Sequence, residues 1–254
     1  MSVQYRKTKC TWCSFIMFTI SNIKFLDYLY RKLRSVLYLF ITILIFPYQA
    51  FFLSKAKIEL KKDYSRVDIL KILIDKKDSD MNYLEIGCDL NQTFSKINLV
   101  NKYGVDPIRG GNIRKTSSEF FKDNITSFDI VFIDGSHLVE DVHEDFINSF
   151  NSLNVGGFIL LDDVLPKYEI NTTRRRFTSV SNQDAYKIIF FLNQIKHIEF
   201  YYLPYDHGLG LVKKISNENL KIFNFNYGTY NFKQFIRNLE KEKFLDIKEL
   251  KSLY

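Results

Sequence analysis

Four side chains in the middle of the chain have the types and spacing to do chemistry together. Asp134 ends the run Phe128-Asp129-Ile130-Val131-Phe132-Ile133, His137 follows three positions on, and the pair Asp162-Asp163 ends Phe158-Ile159-Leu160-Leu161. If these runs are neighbouring parallel strands, their carboxyl ends are where an open α/β sheet binds ligands, and the three carboxylates converge. Converging carboxylates repel, and a hard divalent cation relieves that cost. Mg2+ suits the position, because it prefers oxygen ligands and keeps waters that a chelating substrate can displace. His137 would act as a general base or hydrogen-bond the substrate. The plain alternatives are helix capping and solubility for the aspartates and an N-cap or surface place for His137; His143 reads as a helix-surface residue.

The surrounding elements supply the positioning. Tyr83-Leu84-Glu85-Ile86 reads as a strand ended by Gly87, and Thr93 to Asn101 as a helix. Tyr103 to Asp106 is a second strand, stopped by Pro107, and Ser118 to Lys122 a short helical turn. Leu138 to Leu153 is an amphipathic helix carrying Val142, Phe146 and Phe150, followed by a Gly156-Gly157 turn. Short apolar strands alternating with helices indicate a parallel sheet covered on both faces. Asp184 to Gln194 is a further helix. Ile198 to Tyr202 and Leu209 to Lys214 are separated only by a turn with Pro204, Asp206 and Gly208, so they form an antiparallel pair. The expected fold is a Rossmann-like, doubly wound α/β sheet, mostly parallel and seven-stranded with an antiparallel last strand, preceded by an apolar helical segment.

Two further strand ends suit a nucleotide-like cofactor. Gly87 allows close backbone approach, and the loop Gly87-Cys88-Asp89-Leu90-Asn91 opens towards a helix whose amides can meet a carboxylate. Asp106, about 20 residues on, stands where an acidic side chain accepts from ribose hydroxyls. Each signal alone also fits an ordinary turn. The glycine fingerprint G-x-G-x-x-G is absent, which argues against a nicotinamide-dependent enzyme on a related sheet.

Taken in order, YLEIG, GVDPI, TSSEFF, FDIVFIDGSH and GGFILLDDVLP resemble the small class I S-adenosylmethionine methyltransferases of methyltransferase family 24, over roughly residues 82–215. The resemblance implies that Glu85 and Gly87 meet the methionine part of the cofactor. It implies that Asp106 takes the ribose, and that Ser117, Ser118 and Glu119 lie near the adenine. Cys88, Asn91 and Asp134 complete the implied cofactor set, with Asn91 standing where the family usually has glycine. Asp134, Asp162 and Asp163 match the ligand pattern of metal-dependent O-methyltransferases of the catechol and cephalosporin-tailoring kinds. The implied reaction is Mg2+-assisted methylation of a hydroxyl on a small or glycan-like acceptor, with His137, Asp134 and Lys187 as catalytic residues. Asn182-Gln183-Asp184-Ala185-Tyr186-Lys187 is similar to a family segment at a helix start, and Asp206-His207-Gly208-Leu209-Gly210 to its Gly-Leu-Gly turn. A rival reading is a catalytically weak methyltransferase-fold module that binds or assembles at a membrane.

The chain has 254 residues, 46% hydrophobic and 26% charged, with a formal net charge of +7 and a pI near 9.1. That suits one α/β domain with appendages, read as a helical segment at 1–60, the methyltransferase domain at 61–215 and a helical extension at 216–254. The extension contains a helix from Asn231 to Lys243 and could support a homodimer. A basic balance fits anionic partners such as phospholipid surfaces or nucleotide-sugars. No nucleic-acid-binding signature is present, so nucleic acid is not expected. Arg174-Arg175-Arg176 suits phosphate or carboxylate recognition. The three cysteines, Cys10, Cys13 and Cys88, are too few for a disulfide framework and suit a reducing compartment. Residues 35–54 are uncharged and apolar, with Arg31, Lys32 and Arg34 before them and Lys55 and Lys57 after. They are read as a transmembrane helix, an interfacial helix or a helix packed on the domain, with Pro47 expected to kink it and Lys55 to Lys77 helical beyond. The expected location is the cytoplasm or the cytoplasmic face of a membrane.

Overall fold

The β-branched and aromatic runs form strands, and the first of them stops at Gly87, which stands at φ +86. In the computed structural model, which describes residues 11–75, 80–176, 178–221, 224–240 and 243–253 (side chains of 11–25, 46 and 49–52 excepted), six strands form one sheet in the order β2-β1-β3-β4-β6-β5. β1 is Tyr83–Ile86, β2 Lys102–Val105, β3 Phe128–Ile133, β4 Leu153–Leu161, β5 Ile198–Leu203 and β6 Leu209–Lys214. β2, β1, β3 and β4 run parallel, and β6 pairs antiparallel with both β4 and β5. The registers Ile86↔Ile133 and Ile133↔Leu161 align three strand ends, so the residues after them emerge side by side.

Both faces of the sheet are covered, which is why the strands read as continuous apolar runs. Leu84, Val131, Ile159 and Leu161 pack with Phe146 and Phe150 of α4 (Val139–Asn151) and Ile188 and Phe191 of α5 (Ile188–Leu192). Tyr83, Ile130, Phe132 and Phe158 pack on the other face with Leu70 and Leu73 of α2 (Arg66–Ile74). These side chains are all but fully buried; each contributes about 1.5–3 kcal/mol of transfer free energy.

Several expectations change. The sheet has six strands among the described residues, not seven. Between β2 and β3 the chain turns at Gly110 and Gly111, both at positive φ, and forms only α3 (Ser117–Asp123); an isolated Val105↔Ile113 bridge takes the place of a further strand. The helix expected over Thr93 to Asn101 is one 3-10 turn, Phe94–Lys96. Ile97 is extended, and the Lys102 ammonium donates to the Phe94 and Ile97 carbonyls that a longer helix would have used. The helix expected over 184–194 is a 3-10 turn followed by the five residues of α5. The helix over Lys55 to Lys77 shortens to α2, begun by a Ser65–Asp68 capping box. That over Asn231 to Lys243 shortens to α6 (Phe232–Arg237), and α7 (Ile247–Ser252) follows. His143 is buried, not on the surface: it shares the α4 stripe of Val139, Val142, Phe146 and Ile147 and hydrogen-bonds the Tyr227 hydroxyl.

Residues 35–54 fall mostly within α1 (Thr11–Phe52), a 42-residue helix with Pro47 inside it. Among the described residues no helix is long and apolar enough to cross a membrane, so the transmembrane reading gains no support. α1 instead meets the domain through polar contacts. Arg31 pairs with Asp89 at 3.7 Å, Arg109 with Asp27 at 3.4 Å, and the Ser179 amide donates to Thr42 Oγ1 at 3.2 Å. Just beyond it, the Ser54 amide donates to Glu169 at 2.9 Å. Cys10 and the side chain of Cys13 lie outside the described residues; Cys88 is a free, buried thiol.

Candidate functional site

Two adjoining cavities lie at the carboxyl end of the sheet, and both are lined by Gly87, Asp89, Asp134 and Gly135. One, of about 580 Å3, runs past Asp106, Ser117, Ser118 and Asp145; the other, of about 520 Å3, runs past Arg66, Glu85, Thr93, His137 and His207. Gly87 sits between them at φ +86, and a Cβ there would lie 2.2 Å from the Asp134 carbonyl oxygen. The loop can therefore cross the end of β3 only with glycine.

The first cavity is built largely from backbone. Asp106 Oδ2 accepts from the Cys88 and Asp89 amides at 3.1 and 3.0 Å, and Oδ1 from the Ile108 and Arg109 amides at 2.8 Å each. This carboxylate, expected at the ribose, is engaged in bracing two loops. Asn91, at φ 60, accepts from the Gly111 amide at 2.6 Å and so ties the loop after β1 to the loop after β2. Ser117 and Ser118 line the cavity, whereas Glu119 forms the capping box of α3 with Thr116 and is not in the lining. Asp145 is a buried carboxyl at this cavity that sequence reasoning missed. Burial pushes its pKa up to about 7, against a hydrogen bond with Ser117.

The second cavity is built from charge. Arg66, the first residue of α2, places Nη1 2.6 Å from Asp134 and 2.5 Å from Asp162, and Nε 2.7 Å from Asp206; its backbone amide also donates to Asp206 at 3.1 Å. Burial works against its charge, but Asp162, Asp134 and Asp206 hold its pKa above the ordinary value. Burial, then the neighbouring Asp162, pushes Asp134 and Asp163 well above the usual carboxylate range. His137 Nδ1 lies 3.5 Å from Asp163 Oδ2, and burial holds its pKa below that of a free imidazole. Glu85 is buried and accepts from the Tyr83 hydroxyl at 2.6 Å; burial raises its pKa to about 7.

Divalent-cation chemistry can be tested against these donors. The expected trio of Asp134, Asp162 and Asp163 does not enclose one position, because the Arg66 guanidinium stands between the first two. A different set fits: ligand atoms of Asp162, Asp163 and His207 lie within 4.8 Å of one another, and Asp162 Oδ1 is buried with no hydrogen-bond partner. Asp163 holds φ 59 in the turn, and its Oδ1 is fixed by Asn182 Nδ2 at 2.8 Å. Lys187 is not in either lining. It lies 3.9 Å from Asp184, whose carboxylate caps α4 at the Val139 amide and pairs with Arg174. Arg66 and Asp145 were not found by sequence reasoning, which named Asn182 only as part of a family-like segment; for Arg66 the one local signal was the Ser65–Asp68 capping pattern, which starts a helix but does not say where its first side chain points.

A parallel sheet with an antiparallel return, a glycine-hinged loop after β1 and an acidic strand end after β2 make a Rossmann-like α/β fold. Residues 86–164 match the family model described as a methyltransferase domain. No curated protein matches the chain significantly. Among solved structures, a protein of Corynebacterium glutamicum is similar at 14% identity, covering 63% of this chain and 85% of that one with a TM-score of 0.47. An O-methyltransferase from Bacillus cereus in complex with SAH is similar at 16% identity, covering 61% and 84%, TM-score 0.43. The MycE methyltransferase of the mycinamycin biosynthetic pathway, in complex with Mg and SAH, is similar at 16% identity, covering 61% and 50%, TM-score 0.40.

Proposed function

We propose that this protein transfers the methyl group of S-adenosylmethionine to a hydroxyl of a small or glycan-like acceptor, with a divalent cation assisting. The observation that carries the reading is the meeting of His137, Asp162, Asp163 and His207 beside the Gly87 loop of a methyltransferase domain. The adenosyl end of the cofactor would lie along Ser117, Ser118 and Asp145, and its methionine end over Gly87, Cys88 and Glu85 towards Arg66. Cys88 would contribute its backbone, since burial makes its thiol a weak acid, with pKa far above the usual range.

Asp162, Asp163 and His207 would hold the cation, which lowers the pKa of a bound hydroxyl. His137 accepts the acceptor's proton at its Nε2, with Nδ1 turned to Asp163. Asp134 positions Arg66 and closes the side of the site next to the cofactor loop. Arg66 works against the burial and repulsion that raise the pKa of Asp134 and Asp163, and is placed to meet the cofactor's carboxylate. The chain contributes orientation and exclusion of water rather than a covalent intermediate. The reading places the enzyme in the cytoplasm or at the cytoplasmic face of a membrane.

The test is methyl transfer from labelled S-adenosylmethionine to a panel of hydroxylated sugars and phenols by wild type and His137→Ala. A general base contributes about 10²–10⁴-fold, so the variant should bind the cofactor normally and turn over at least a hundredfold more slowly. Equal rates would remove His137 from the mechanism. A binding or assembly module without turnover is the second reading, favoured by Asp106, whose oxygens are already engaged by four backbone amides.

A further inference from the structure

A third cavity, of about 390 Å3, lies between α1 and the loops at the sheet's carboxyl end. Four arginines line it: Arg31 and Arg34 from α1, Arg109 from the loop after β2, and Arg176 from the long loop after β4. The size falls in the range of ligand sites, about 300–1,000 Å3. Its charge is unbalanced. Asp27 is the one acidic residue in the lining, 3.1 Å from Arg31 and 3.4 Å from Arg109, and Asp89 at the edge is 2.5 Å from Arg109. These two carboxylates serve Arg31 and Arg109.

Arg34 and Arg176 have no acidic partner among the described residues. Both lie over the ring of Tyr38, at 5.3 and 5.1 Å from its centroid, and Arg176 also donates to the carbonyls of Thr178 and Ser179. Like charges held against one ring repel, and an anion between them relieves that cost. Guanidinium forks match phosphate oxygens in pairs. The cavity is also joined to the proposed site: Arg109 donates its amide to Asp106 and pairs with Asp89, which lines both cavities there.

We propose that Arg31, Arg34, Arg109 and Arg176 bind a phosphate or diphosphate group, and that this group is the anionic anchor of the methyl acceptor; the anchoring role rests on the methyl-transfer reading, the anion site does not. The group can come from a soluble molecule or from a lipid headgroup. The lipid source is worth a separate arm because α1 leaves Leu33, Val36, Leu37 and Phe40 exposed beside the cavity.

The test uses the full chain. Inorganic pyrophosphate is titrated calorimetrically into wild type, Arg34→Met, Arg176→Met and the control Lys32→Met, a charge on the same helix outside the cavity lining. Sedimentation with phosphatidylcholine vesicles, with and without phosphatidic acid, forms the second arm. Wild type should bind, each arginine variant should bind about tenfold or more weakly, and Lys32→Met should match wild type. Arg34-dependent binding of pyrophosphate alone identifies a soluble source, and Arg34-dependent sedimentation with phosphatidic acid identifies a lipid one; either supports the site. A chain that binds S-adenosylmethionine but neither probe overturns it, as does Lys32→Met weakening binding as much as Arg34→Met. A chain that binds pyrophosphate through Arg34 but no S-adenosylmethionine keeps the anion site and fails the methyl-transfer reading.

Discussion

The two adjoining cavities at the carboxyl end of the sheet are built on opposite principles. At the end proposed for the cofactor, amides and short turns do the positioning: Asp106 accepts four backbone amides, Asn91 a fifth, and Gly87 lets the loop pass against Asp134. At the end proposed for the chemistry, Asp134, Asp162 and Asp206 pair with one guanidinium, and burial and the neighbouring Asp162 raise Asp134 and Asp163 well above the usual carboxylate range. The first arrangement is satisfied before any ligand arrives. The second is satisfied only when a cation or a proton arrives, which is the property that a site for charged chemistry needs.

Removing Arg66 should break the comparison most severely. Arg66→Met leaves buried carboxylates without their cation, at a cost of about 3–5 kcal/mol. Urea unfolding should show that loss, with part of it recovered by millimolar Mn2+; a variant as stable as wild type would mean that the charged end is no more strained than the cofactor end. The next effect is on pH. Asp145 has a folded-state pKa of about 7, above its unfolded value, so the folded chain binds the extra proton, and stability is lost as pH rises from about 4 to 7. Asp145→Asn should flatten that decline by up to about 4 kcal/mol and leave the variant more stable than wild type at neutral pH, as read from melts across the range. Glu85, raised in the same direction, should leave a residual slope.

Gly87→Ala should cost about 3 kcal/mol, from positive-φ strain together with the clash at the Asp134 carbonyl, and should abolish cofactor binding in a calorimetric titration. The smallest change is at Asn91. Asn91→Gly removes the bond to the Gly111 amide but relieves φ 60, so stability should stay within about 1 kcal/mol of wild type. A larger loss would show that the side-chain brace, and not the turn, holds the loop.

The same contrast explains what was legible in the sequence. Asp106, Asp134 and Asp162-Asp163 could be found because each follows an apolar run whose end fixes its place. Their meeting at one sheet edge follows from parallel pairing. Arg66 could not, because it comes from a helix that reaches the site from 68 residues away in sequence, and nothing in its neighbours marks a charge turned inward. The replacement of Asp134 by His207 in the cation-ready cluster follows from that arginine. The helix over Thr93 to Asn101 failed for a local reason, a lysine taking its carbonyls, and the seventh strand because no apolar run lies between Asp106 and Phe128. The burial of His143 was legible in its helical spacing with Val139 and Phe146, had the stripe been weighed above residue type.

The most direct measurement is a calorimetric titration of S-adenosylmethionine into the folded full-length protein. The account predicts saturable one-to-one binding in the low-micromolar range, about −8 kcal/mol. A folded chain that gives no binding would contradict it and leave the domain as a binding or assembly module.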